Sequence, residues 1–133
     1  MKNRTSEENI QELKPNEVFV FGSNEAGRHG AGGAKLALKW GAKMGQGIGM
    51  SGQTYALPTK DREIKSLDLL YIRVYVENFI DWAEYHTGNT FLVTEIGCGL
   101  ANFTPEQIAP MFRRAVNIGN IHLPKRFWEV LNK

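Results

Sequence analysis

Chemistry in this chain concentrates in three short stretches. The first runs from Gly22-Ser23-Asn24 to Arg28-His29-Gly30-Ala31-Gly32-Gly33, the second is Ile96-Gly97-Cys98-Gly99-Leu100-Ala101-Asn102-Phe103, and the third is Leu57-Pro58-Thr59-Lys60-Asp61. Glycine carries no Cβ, so a glycine loop turns tightly and its N–H groups can approach an anion closely. Two such loops suit a diphosphate better than a single phosphate. Lys60 brings an amine that becomes a nucleophile only if its pKa is lowered by apolar or cationic surroundings. Ordinary turns are the plain alternative for the glycines, and a solvated surface side chain is the plain alternative for Lys60.

These stretches need a scaffold, and the intervening residues predict one. Val18 to Phe21 is a continuous apolar run, as in a central strand buried on both faces. A helix opens near Ala34, a site where its first N–H groups face an anion, and ends at Gly41. Gln53 to Leu57 reads as a strand stopped by Pro58. Ser66 reads as the N-cap of the longest helix, which places Leu69, Ile72, Val76, Phe79, Ile80 and Ala83 on one face up to about His86. Phe91 to Thr94 is a further buried strand. Thr104-Pro105-Glu106-Gln107 then spells a helix start, with a threonine cap, a proline in the first turn and a capping-box glutamine. Ile118 to Leu123 reads as a last strand and Pro124 to Leu131 as a terminal helix.

This alternation predicts a single domain over residues 1–133, of α/β class: a three-layer α/β/α fold on a mixed, largely parallel sheet. Residues 1–8 read as a loose polar arm. In such sheets ligands bind beyond the carboxyl ends of the strands, where both glycine loops fall. Ten of the 14 glycines lie between Gly22 and Gly52. Within them Gly47-Ile48-Gly49-Met50-Ser51-Gly52 matches a dinucleotide fingerprint by letters only, because it leads into a strand and opens no helix. There is no P-loop motif.

Composition removes several classes. The net charge of +2 makes no strong case for nucleic acid, although a local basic patch remains compatible with it. One cysteine cannot form an internal disulfide, and His29, His86 and His122 are scattered, so neither a metal site nor a cofactor is expected. No run approaches the ~18 apolar residues of a membrane span, and the polar amino terminus has no apolar signal core. A cytoplasmic protein is the expectation; oligomeric state is not legible.

Taken together, the three stretches resemble the macrodomain fold, and within it the branch typified by the terminal ADP-ribose protein glycohydrolase. Arg28 to Gly32 looks like that branch's Arg-Met-Gly-Ala-Gly segment, Ile96 to Leu100 is similar to its phosphate-binding loop, and Leu57 to Lys60 resembles the strand end bearing its catalytic lysine. The similarity keeps a consistent order from about Asn9 to Leu123.

That resemblance implies specific roles. Gly97, Cys98, Gly99 and Leu100 would wrap a diphosphate, while Gly30 to Gly33 would cover the distal ribose. Ser23 and Asn24 follow a strand where many macrodomains place a ribose-contacting asparagine, and His29 could reach ribose too. Asn9 aligns with an aspartate that accepts from the adenine amino group. Asn102 and Phe103 extend the second loop, with Phe103 a candidate for stacking on the ligand. Lys60 matches a lysine that attacks the anomeric carbon of ADP-ribose. Ala101 stands where the hydrolysing member has its acid/base aspartate, and a methyl group transfers no proton; Asp61 or Glu95 would have to substitute.

The implied function is binding of ADP-ribose or a close nucleotide diphosphate, with removal of ADP-ribose from modified macromolecules as the implied activity. An interaction or nucleic-acid-binding domain on the same fold is the alternative. Cys98 reads as a small packed residue, Trp40, Trp82 and Trp128 as core aromatics, and Arg113, Arg114, Lys125 and Arg126 as solvated faces.

Overall fold

Val18 and Val20 face one side of the central sheet and Phe19 and Phe21 the other, all four buried at 2% exposure or less. Strand side chains alternate, so a run apolar at every position must be covered on both faces. That run lies in β2 (Glu17–Asn24). The structure, a computed structural model, describes residues 3–133.

The remaining elements follow in the expected alternation. They are β1 (Thr5–Ser6), α1 (Gly32–Ala37), β3 (Gly49–Ser51), β4 (Thr54–Lys60), α2 (Leu69–Tyr85), β5 (Thr90–Val93), α3 (Pro105–Ile108), β6 (Ile121–Pro124) and α4 (Lys125–Leu131). The sheet has six strands in the order β1-β6-β5-β2-β4-β3. Every neighbouring pair is parallel except β3 with β4, so the sheet is mixed and largely parallel. Helices cover both faces in an α/β/α arrangement.

The larger core lies under α2, which buries Ile72, Val76, Phe79, Ile80 and Ala83 against Val18, Val20, Leu57 and Phe91. Phe112 and Phe127 complete it from the carboxyl-terminal third. The smaller core joins Phe19, Phe21, Ala56 and Leu92 to Ala34 and Ala37 of α1 and to Ile10. Thr104 caps α3 as the capping box predicts: its side chain accepts from the Gln107 N–H, and the Gln107 side chain accepts from the Thr104 N–H.

Several boundaries differ from the sequence expectation, each for a physical reason. β4 continues through Pro58, since β3 pairs only with Thr54 to Ala56 and Pro58 sits where β4 has lost that neighbour. The first helix begins earlier, at Gly32, and gives way to a 3-10 turn at Leu38–Trp40 closed by Gly41. Asp68, not Ser66, precedes α2, because Ser66 bridges back to Lys60 and its hydroxyl donates to the Ala101 carbonyl. After α3 the chain tightens into a 3-10 helix over Ala109–Asn117, where Pro110 has no N–H to give an α-helical bond. The last strand therefore starts later, at Ile121. Trp82 is 38% exposed and stacks on His86 instead of entering the core.

The polar arm is not loose where it is described. Thr5 and Ser6 pair with Leu123 and Pro124, and the Arg4 guanidinium donates to the carbonyls of Ala115, Val116, Ile118 and Ile121. Ala115 and Val116 lie in the last turn of the 3-10 helix, Ile118 caps it and Ile121 opens β6, so the guanidinium fork bridges the helix end to the strand that follows. Residues 1 and 2 of the expected arm lie outside the described residues. Among the described residues, no helix is long and apolar enough to cross a membrane.

Candidate functional site

β2, β4 and β5 run parallel, so their carboxyl ends meet at one edge of the sheet. A cleft of about 570 Å³ opens there, within the range of sites that enclose nucleotide-sized ligands. Of the residues singled out from sequence, it brings together Asn9, Ser23, Asn24, Arg28, Gly30 to Gly33, Lys60, Ile96, Gly97 and Gly99 to Ala101. His29, Asp61, Cys98, Asn102 and Phe103 do not line it.

The first loop is braced from beneath. The Asn24 amide donates to the Arg28 carbonyl at 2.8 Å and accepts from the Arg28 N–H at 2.9 Å, which closes residues 24–28 into a fixed turn. Asn24 thus spends its polar atoms on the loop. His29 is 1% exposed; its Nε2 lies 3.0 Å from the Gln46 carbonyl, and its ring meets Phe21 edge-on. It anchors the loop to the following segment, and its Nδ1 has no partner among the described residues. The Ser23 hydroxyl donates to the Gly47 carbonyl. A Cβ on Gly47 would fall 1.9 Å from the Asn24 carbonyl oxygen, so glycine there serves close backbone contact. By contrast, a Cβ on Gly30 or Gly32 would meet nothing within 4 Å.

The second loop uses some of its N–H groups internally and leaves others without a partner among the described residues. Within it the Cys98 N–H is taken by Glu95, that of Asn102 by Gly99 and that of Phe103 by Gly97. Among the described residues the N–H groups of Gly97, Gly99, Leu100 and Ala101 find no acceptor. Such a run of unpaired donors is what an anion-binding loop requires. Burial, with the nearby Glu95 charge, pushes the Cys98 thiol up to about 11, so it stays protonated and packs with the larger core. Phe103 packs with that core as well, and Asn102, at φ 66, turns the chain between them.

Charge is divided unequally along the cleft. Arg28 and Lys60 line it, and no carboxylate among the described residues lies within ion-pair distance of either. The carboxylates that line it are Glu8 and Glu95. Arg126 holds Glu95 through two hydrogen bonds and keeps its carboxyl below the usual range, ionised and unable to serve as an acid near neutral pH. Asp61 is committed to its own turn, accepting from the N–H groups of Glu63 and Lys65. Ala101 is buried in the wall and presents a methyl group.

Ile10, Phe19, Ala34 and Leu36, which pack together in the smaller core, give the cleft an apolar niche, and Glu8 and Asn9 line the cleft with them. The Asn9 side-chain Oδ1 accepts from the Gln11 side-chain amide at 2.7 Å. Glu8, Thr59, Ile64 and Thr94 also line the cleft and were given no role from sequence. Thr59 and Thr94 lie where β4 and β5 end, so the strand-end rule contained a signal for them; nothing local marked Glu8 or Ile64. No group of three or more His, Cys, Asp or Glu side chains among the described residues could hold a metal ion. No family model, curated protein or solved structure matches the chain.

Proposed function

We propose that the cleft binds ADP-ribose or a closely related nucleotide diphosphate, in the manner of the macrodomains the sequence resembles. One observation carries the proposal: two glycine loops with open faces line one cleft, and four N–H groups of the second loop are unpaired beside Arg28 and Lys60. Unpaired donors and unopposed cations favour a bound anion, while the apolar niche at Phe19 and Leu36 is suited to a base. Cytoplasmic residence and a partner carrying ADP-ribose belong to the same proposal.

Of the two forms this function can take, binding is better supported than hydrolysis. Removal of ADP-ribose needs a group that moves a proton, and Ala101, Arg126-bound Glu95 and turn-bound Asp61 do not provide one. Calorimetry with ADP-ribose, ADP, AMP and NAD tests the proposal. ADP-ribose should bind tightest, because both phosphates and the distal ribose contribute. If none binds better than about 1 mM, equivalent to ~4 kcal/mol, the ligand assignment fails. Salt-sensitive binding of polynucleotide without ADP-ribose binding would favour the nucleic-acid alternative.

A further inference from the structure

Ile64 occupies a backbone conformation that its side chain disfavours. Its φ is 64°, in the left-handed region, where a β-branched residue crowds its own carbonyl. A chain that merely had to reverse direction would place glycine or asparagine there. The surrounding turn imposes the conformation. It is closed at its base by the Lys60–Ser66 bridge and by the Asp61 N–H donating to the Lys65 carbonyl at 2.7 Å. One Asp61 carboxylate oxygen accepts from the Glu63 N–H at 2.8 Å and the Lys65 N–H at 3.0 Å. The Ile64 N–H itself donates to the Asp61 carbonyl.

The turn sets Ile64 in the wall of the cleft, together with Lys60, Leu100 and Ala101. The Ser66 hydroxyl, donating to the Ala101 carbonyl at 2.9 Å, ties the turn's base to the second glycine loop. An apolar side chain held at a conformational cost, at the end of the cleft that carries the ammonium, is explained if it meets the ligand.

We infer that Ile64 is a specificity-determining residue and that Asp61 is the positioning residue that presents it. The inference rests on the nucleotide-diphosphate assignment and deepens it. Ile64 packs on the weakly polar face of a sugar carried by the second phosphate, so the cleft selects a nucleoside diphosphate bearing a further sugar over the bare diphosphate. Asp61 acts through the turn and touches no ligand.

Calorimetry of the full chain with ADP-ribose and with ADP tests this, alongside thermal melting. Ile64→Gly relieves the strained φ, so it should melt no lower than wild type; it should bind ADP-ribose about tenfold more weakly and ADP within about twofold of wild type. Ile64→Asn tolerates the same φ and should show the same loss of discrimination. Asp61→Ala should reproduce that loss, and Asp61→Asn, which keeps an accepting oxygen, should restore most of it. If wild type prefers ADP-ribose and the Ile64 variants keep that preference, the inference is overturned while the ligand assignment stands. If wild type binds neither nucleotide, both are overturned.

Discussion

Arg126 grips Glu95 at two points, Nε and Nη2 donating to the two carboxylate oxygens at 2.8 and 2.6 Å. The pair sits where β5 gives way to the second glycine loop, and Glu95 lines the cleft. Its first consequence is electrostatic: a carboxylate lining the cleft proposed to hold a diphosphate is neutralised by a cation supplied from α4. Arg126→Ala should therefore weaken ADP-ribose binding severalfold at pH 7, because it leaves the Glu95 charge uncompensated. An unchanged affinity in calorimetry would remove Glu95 from the electrostatics of the cleft.

The same pair makes a small contribution to stability, since both partners are about a third exposed or more. Arg126 lowers the folded-state pKa of Glu95, so its contribution is present above the unfolded carboxylate value of ~4.3 and is lost as pH falls through the folded value. The melting-temperature gap between wild type and Arg126→Ala should be open at pH 7 and close in the acid range below ~4. A gap independent of pH would mean that Glu95 ionisation does not carry it.

The glycines separate into two functional groups that melting and binding distinguish. Gly30→Ala and Gly99→Ala place a methyl where no atom lies within 4 Å, so stability should change by no more than ~0.5 kcal/mol. ADP-ribose affinity should nonetheless fall about tenfold if the methyl intrudes on the ligand. Gly47→Ala drives a methyl into the Asn24 carbonyl, and its cost should be ~3 kcal/mol or more in stability, read from denaturant midpoints. Equal effects from all three variants would remove the distinction.

Much of the scaffold was legible because its signals are local. The apolar run at Val18 to Phe21, bounded by turn signals, reads as a doubly covered strand, and Thr104 to Gln107 spell their own cap. What escaped depends on partners distant in sequence. Arg4 looks like a tail residue until the carbonyls of residues 115–121 are brought to it. His29 reads as a loop histidine but is buried against Phe21 and Gln46. Asp61 and Glu95 look like free carboxylates, and only the fold shows one bound to its turn and the other to Arg126. Sequence patterns located the cleft, then, but not the state of the charged groups around it.

Arg4 gives the stability prediction with the largest magnitude. Its guanidinium serves four carbonyls at 2.7 to 3.1 Å and lies 5.3 Å from the Trp128 ring centroid, while the Trp128 indole N–H returns a bond to the Arg4 carbonyl. Arg4→Ala should cost about 2–4 kcal/mol, the scale of losing several charge-assisted bonds at a partly buried site. Arg4→Lys should recover little, since an ammonium lacks the planar fork of donors that spans these carbonyls. Urea midpoints within ~0.5 kcal/mol of wild type for Arg4→Ala would restore the picture of a dispensable arm.

Lys60 and Ala101 decide whether the cleft does chemistry. If the protein hydrolyses ester-linked ADP-ribose, Lys60→Ala should bring release of free ADP-ribose to background at saturating substrate while weakening binding only severalfold, and undiminished turnover would reject the lysine as nucleophile. Ala101→Asp asks the complementary question. It installs a carboxylate in the cleft wall, at the loop that the Ser66 hydroxyl ties to the turn following Lys60. A positioned acid or base supplies ~10²- to 10⁴-fold in rate, so turnover in Ala101→Asp should rise by at least ~10² if proton transfer is what the native cleft lacks. Wild-type turnover already within reach of that level would place the proton elsewhere, with Glu8 the remaining carboxylate in the cleft to be tested by Glu8→Gln.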